Sequence, residues 1–308
     1  MKNNKMAVAI VSTTLLLGGC NMEVESKKES EIIGKGDVAL DSSSFVSVQD
    51  YTGEEYALQD GEETDKIAEA NREEIEQAVK DIKKPIKIAE VKIHNIVGAV
   101  DGASVFVESI REPHFYTFAI VPIDVENEKV EVDKVWSQEG QIEDAITTGL
   151  YAMIHDQEFS TLDNYLEKLT EENPLVGTRM EAVEKVGANG YATPYYYTSA
   201  AGEYFTELYN KYIENPTISK EELKSSMKKY DLNSNLMLIT ITLYMKESDT
   251  DPDEVLYDKI VSDIEQMEGL PRGSYSVILH DNLINAEYAD GSKKSSLNKT
   301  ALNEIRKE

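Results

Sequence analysis

Two rhythms of apolar positions run through the first half of the chain. Residues 64–83 carry Ile67, Ile75, Ala78 and Ile82 on one stripe at helical spacing, and Pro85 closes the segment. Residues 91–100 and 103–110 are strand-like and flank Asp101-Gly102, a dipeptide suited to a two-residue hairpin turn. With that turn Gly98 faces Val105, Ile96 faces Val107 and His94 faces Ser109, so one hairpin face is almost wholly apolar. Residues 115–122 predict a third strand. Residues 129–136 predict a fourth, with Val130 and Val132 alternating against Glu131 and Asp133. A helix followed by strands in meander implies an α+β fold with an antiparallel sheet and a flanking helix.

The second half reads as mostly helical. Residues 141–155 and 162–172 form two helical patterns, the second stopped by Asn173-Pro174. Residues 200–214 and 219–230 continue the series, with Ser219 and Glu222 spaced as a capping box. Residues 252–267 follow, with Asp251 as N-cap and Pro252 at the first helical position. Residues 235–246 fit either a strand, from Ile239-Thr240-Ile241-Thr242, or a buried helix. Residues 274–280 predict a short late strand, and the polar tail from Ser292 is expected to fray. The organisation is then a sheet region over 46–138, a mainly helical region over 139–291 packed on it, and a tail over 292–308.

The N-terminus changes the picture from fold to address. Lys2 and Lys5 precede the mostly apolar residues 6–17, a run too short for a permanent membrane span but of secretory length. Leu17-Gly18-Gly19-Cys20 follows and holds the chain's one cysteine. That order resembles the bacterial lipobox. It implies cleavage after residue 19, a diacylglycerol on the Cys20 thiol and acylation (palmitate or similar) of the new amino group. Two or more acyl chains anchor a protein stably, so the membrane partner is reached through Cys20 without a transmembrane helix. Residues 20–45 read as a flexible tether with a reach of about 25–30 Å, against a screening length of about 8 Å at physiological salt. The expected location is the extracytoplasmic face of the cell membrane.

The formal net charge is −27, and loss of Lys2 and Lys5 with the leader makes it more negative. Such a body repels polyanions, which argues against nucleic acid as a partner.

Candidate chemistry is sparse. The sequence contains no Gly-x-Ser-x-Gly, no phosphate-binding loop and no His-Glu-x-x-His, and acylation would consume the cysteine. Four histidines exist, His94, His114, His155 and His280, and no two share a helical face by spacing. No metal and no cofactor is expected from them. His155-Asp156 and His280-Asp281 could converge with a serine only in space. Asp249, Asp251 and Asp253 imitate a calcium loop but lack its Gly and terminal Glu, as do Asp231, Asn233 and Asn235. Phe205, Tyr209 and Tyr212 are spaced as a buried helical stripe. Tyr195, Tyr196 and Tyr197 cannot all point inward from an extended segment. They are the candidate surface for a peptide, glycan or protein partner.

Several phrases together carry a resemblance: Val48-Gln49-Asp50-Tyr51-Thr52-Gly53-Glu54, Thr64-Asp65-Lys66-Ile67-Ala68, His94-Asn95-Ile96-Val97-Gly98-Ala99, the stretch from Pro113 to Pro122, Thr193-Pro194-Tyr195-Tyr196-Tyr197, Ser274-Tyr275-Ser276-Val277 and His280-Asp281-Asn282. The chain resembles a domain-of-unknown-function family of Gram-positive surface lipoproteins. The resemblance implies a lipid-anchored extracytoplasmic protein and brings no catalytic residues with it. The leading expectation is non-catalytic binding or scaffolding at the envelope. The alternatives are a cell-surface hydrolase with a non-standard site that uses His94, His114 or His280 near acids, and a chaperone-like assembly factor for exported proteins.

Overall fold

A computed structural model describes residues 44–81, 89–200, 205–227, 236–291, 295–299 and 304–308. Cys20 and its tether lie outside these residues, except that β1 (Phe45–Ser47) opens the described body. Helices α1 (Glu62–Ala70) and α2 (Arg72–Asp81) replace the single helix expected from the stripe. They part at Asn71, whose side-chain amide donates to Ile67 O at 2.7 Å and ends the first helix. The meander follows as β2 (Val91–Ala99), β3 (Gly102–Ser109), β4 (Tyr116–Asp124) and β5 (Lys129–Val130), an antiparallel sheet in that order. The fourth strand is only two residues long, because the chain turns into a short 3-10 segment at Val132–Lys134.

The hairpin register differs from the expected one in two ways. Ala99 pairs with Gly102, so Val100 and Asp101 form the turn, and Asp101 takes the positive φ of 59°. Farther along, β2 carries one residue more than β3 can pair. Asn95 faces Phe106 and Ile93 faces Val107, leaving His94 as the extra residue of a β-bulge. Ser109 therefore faces Val91 rather than His94.

Next come α3 (Gln141–Ile154), α4 (Asp156–Glu172), β6 (Leu175–Val176), α5 (Met180–Lys185), β7 (Tyr196–Ala200), α6 (Thr206–Glu214) and α7 (Lys220–Met227). The chain continues with β8 (Met237–Met245), α8 (Glu254–Gln266), β9 (Gly273–His280), β10 (Leu283–Asn285), β11 (Leu297–Lys299) and β12 (Ile305–Lys307). The second half is therefore not mostly helical. It builds a second, six-stranded sheet in which β8 and β9 run parallel at the centre, flanked by β6 and β7 on one side and β11 and β12 on the other.

The ambiguous segment resolves as β8. Its Ile239, Ile241 and Leu243 are fully buried while the residues between them are partly exposed, the period-2 signature of a strand. The first helical turn of α8 is capped by Asp253, which accepts from Leu256 N at 2.9 Å, two residues later than Asp251. The tail does not fray where it is described. Ile305 is buried, and Lys307 Nζ donates to Glu265 O and Met267 O at 2.8 Å each, satisfying carbonyls at the end of α8.

Both sheets contribute to one continuous core. Ile146, Leu150, Ile154, Leu162 and Leu166 from α3 and α4 pack with Ala103, Val105 and Val107 of the first sheet and with Ile239, Ile241, Val277 and Leu279 of the second. Burial of each such side chain favours the fold by roughly 1.5–3 kcal/mol. The opposite face of the meander holds a small cluster of Val97, Phe106 and Phe118 under Tyr56 and Leu58. Glu108 shares that face with Phe106, two residues away on β3.

Candidate functional site

The bulge in β2 changes where its side chains point. Ile93 and Ile96 lie toward the main core, opposite Val107 and Val105. The two residues between them both reach α5 across the outer face. Asn95 donates its side-chain amide to Lys185 O at 3.2 Å, and His94 Nδ1 stands 3.1 Å from Glu184 Oε2. The other nitrogen, His94 Nε2, stands 2.6 Å from Glu108 Oε2. The imidazole is 4% exposed, while the two glutamates keep 21% and 25% of their side-chain surface. A buried ring thus lies between two carboxylates that open to solvent. One donor atom from each of the three residues falls within a common 4.8 Å, near enough for side-chain adjustment to bring them onto one metal ion.

A second histidine extends the cluster. His114 Nδ1 is 3.7 Å from the other oxygen of Glu108, and His114 Nε2 is 3.3 Å from the Tyr116 hydroxyl. Glu108 and Tyr116 are direct cross-strand partners on β3 and β4. Burial, and then the negative charge of Glu108 and Glu184, push the Tyr116 hydroxyl above its ordinary range and keep it a donor. The loop that presents His114 is tied by Ser109, whose hydroxyl donates to Pro113 O and accepts from Phe115 N, both at 2.9 Å.

Two glycines let neighbouring backbone close on this loop. A Cβ on Gly149 in α3 would stand 2.5 Å from His114 O, so only glycine allows the helix so near. Gly190, at φ +113°, exchanges two backbone hydrogen bonds with Tyr116 and leaves no room for a side chain beside Thr198 O.

Positive side chains do not balance the cluster. Lys185, next to Glu184, is engaged by Glu54 and Glu181, and among the described residues no Lys or Arg forms an ion pair with Glu108 or Glu184. Among the described residues, the two carboxylates find no charged partners other than imidazoles. Such an arrangement can hold a cation or pass protons between its members.

The other expected residues go elsewhere. His155 caps the end of α3, lies tilted against the Tyr151 ring with centroids 4.4 Å apart and meets Glu158 at 3.5 Å. His280 is buried beside Tyr244, with Nδ1 2.6 Å from Ser296 Oγ. Asp281 turns to Ser295 Oγ and Leu283 N instead of to that ring. The tyrosine run alternates in burial as the chain enters β7. Tyr196 is buried, stacks on Phe159 and donates to Asp163 Oδ1 at 2.7 Å, whereas Tyr195 and Tyr197 are half-buried. Asp231, Asn233 and Asn235 lie outside the described residues. Glu108 and Glu184 carried no motif that could single them out.

A protein-family model described as a protein of unknown function, DUF1672, matches residues 39–307. The chain belongs to the DUF1672 family. A crystal structure of a DUF1672 family protein from Staphylococcus aureus superposes with a TM-score of 0.68 at 17% identity, covering 86% of this chain and 98% of that one. At that identity the likeness establishes the shared fold. A comparison with curated proteins found no match.

Proposed function

We propose that this DUF1672 protein is lipid-anchored on the extracytoplasmic face of the cell membrane and that its body works by binding, with the His94–Glu108–Glu184 cluster as the binding centre. The observation that carries the binding centre is the buried His94 ring gripped on both nitrogens by carboxylates from β3 and α5. Nucleophilic catalysis pairs one ring nitrogen with a serine or thiol and the other with an orienting acid. Here acids hold both sides, which suits retention of a cation.

The anchor is supported by Leu17-Gly18-Gly19-Cys20 behind the apolar leader. Among the described residues no helix is long and apolar enough to cross a membrane. Detergent phase partition with intact mass measurement tests it. The wild-type chain is expected to begin at a diacylglyceryl-Cys20 and enter the detergent phase, and Cys20→Ser to stay in the aqueous phase. A wild-type Cys20 found bare contradicts the reading.

A cell-surface hydrolase is the second reading, favoured by one contact, Ser296 Oγ against His280 Nδ1 at 2.6 Å. Covalent labelling of Ser296 by a fluorophosphonate would support it. An unlabelled, folded protein decides against it.

A further inference from the structure

We infer that the ligand of the His94–Glu108–Glu184 cluster is a divalent first-row transition cation, with Zn²⁺ the best fit. This rests on the reading of the cluster as a binding centre and is independent of the anchor on Cys20.

The donor set argues for the class. Imidazole nitrogen suits Zn²⁺, Cu²⁺, Fe²⁺ and Ni²⁺, whereas Ca²⁺ and Mg²⁺ select sites built of oxygen alone. One nitrogen and two carboxylate oxygens supply three protein ligands with a position left for water, the ligand count of catalytic zinc sites. The dimensions agree. Tetrahedral zinc with bonds of about 2.0–2.1 Å keeps its ligand atoms about 3.3 Å apart. One donor atom from each residue falls within 4.8 Å of the others, while the 2.6 and 3.1 Å contacts of Glu108 and Glu184 lie on different ring nitrogens. Closure on an ion at one ring nitrogen needs the side chain of the other nitrogen's glutamate to swing toward it.

Hydrogen-bond counting points the same way. A neutral imidazole donates one proton, yet both His94 nitrogens face carboxylate oxygens. The pair of contacts is satisfied either by a second proton on the ring or by a metal ion in place of one proton. A cation bound at one nitrogen leaves the other N–H on a carboxylate, the pairing that orients metal-bound histidines. Each glutamate has two oxygens, so one can ligate while the other accepts. His114 Nδ1 stands 3.7 Å from the second oxygen of Glu108.

Electrostatics supply the affinity. Two carboxylates shielded in part from water, without a Lys or Arg partner among the described residues, are a local excess of negative charge that a doubly charged ion relieves. The preorganisation is also unusual for a solvated acidic face. The imidazole is almost fully buried, the bulge fixes its direction, and Asn95 ties the next residue of the same bulge to α5. The protein has acidic side chains all over its surface, but this set alone among the described residues brings three His, Cys, Asp or Glu donors within metal-binding separation.

The test is equilibrium dialysis of the full chain, purified in detergent and stripped with a chelator, against Zn²⁺ in millimolar Mg²⁺ and Ca²⁺. About one Zn²⁺ per chain is expected to survive the competing ions. His94→Gln, Glu108→Gln and Glu184→Gln should each weaken uptake by about 100-fold, and Glu54→Gln, outside the cluster, should leave it unchanged. Co²⁺ on the wild-type chain gives a readout that needs no variant: intense visible absorption from a low-coordinate site. Uptake that is the same in all variants, abolished by Mg²⁺, or accompanied by a Co²⁺ spectrum identical to the aqueous ion would overturn the inference. Such a result would leave the lipid on Cys20 to be judged by its own mass measurement.

Discussion

His94 meets Glu108 at 2.6 Å because β2 holds one residue more than β3 can pair. Strict alternation would send His94 and Asn95 to opposite faces of the sheet. The bulge sends both to the face covered by α5, and there they contact consecutive residues, Glu184 and Lys185. A strand irregularity thus turns one segment of the hairpin into a platform for a helix more than 80 residues away in sequence.

The Asn95 anchor can be removed without touching the cluster itself. Asn95→Ala is expected to lower stability by about 0.5–1.5 kcal/mol, the usual net worth of one such hydrogen bond, and to weaken Zn²⁺ uptake through a looser α5. Denaturant unfolding and dialysis on the same preparation check both effects. Unchanged uptake with lowered stability would show that α5 is held by other contacts.

Gly149 is the position where α3 touches the His114 loop. A methyl group there must displace His114 O from 2.5 Å, so Gly149→Ala is expected to destabilise by about 1–3 kcal/mol even though alanine favours helix. Thermal melting of the variant measures this directly. A stabilised Gly149→Ala would mean that the helix and loop do not approach as described.

Tyr196 separates packing from hydrogen bonding. Its hydroxyl supports the Asp163 carboxyl, which burial already pushes above the ordinary carboxylate range. Tyr196→Phe keeps the stacking on Phe159 and removes that donor, for an expected loss of about 1–3 kcal/mol, while Tyr197→Phe should stay within about 0.5 kcal/mol of wild type. Parallel urea titrations would distinguish the two. Equal effects would contradict the alternating burial along β7.

His155 gives a pH dependence whose sign follows from burial. Desolvation lowers its folded-state pKa below the ordinary 6.5, partly opposed by Glu158. Above pH 6.5 neither folded nor unfolded chain binds the proton, and the residue contributes nothing to pH dependence. As pH falls through 6.5 the unfolded chain takes it up first, and stability is lost. The melting temperature of wild type is therefore expected to fall more steeply between pH 7.5 and 5.5 than that of His155→Gln. Identical slopes would place the ring in solvent.

Much of the first sheet was legible because its strands alternate and its turn residues punctuate them. The bulge was also written in the sequence: Ile93 and Ile96 are three apart where alternation asks for two. Asp101-Gly102 drew the turn one residue too far along, since Gly102 enters β3 opposite Pro122 and leaves the positive φ to Asp101. The second sheet was harder to read. β8 is buried on its strand edges by β9 and by β6 and β7, so its near-continuous apolarity does not distinguish strand from helix. β6, β11 and β12 are two or three residues long, too short for any period to show. His94 and His114 were candidates from their residue type alone. Glu108 and Glu184 were not, because acids abound in this chain and only the tertiary fold sets these two apart.

Anomalous diffraction from crystals grown with Zn²⁺, recorded on both sides of the zinc edge, examines the binding centre most directly. A single strong peak is expected within bonding distance of His94, Glu108 and Glu184. A peak confined to exposed carboxylates elsewhere, with His94 still held between its two glutamates, would contradict the account.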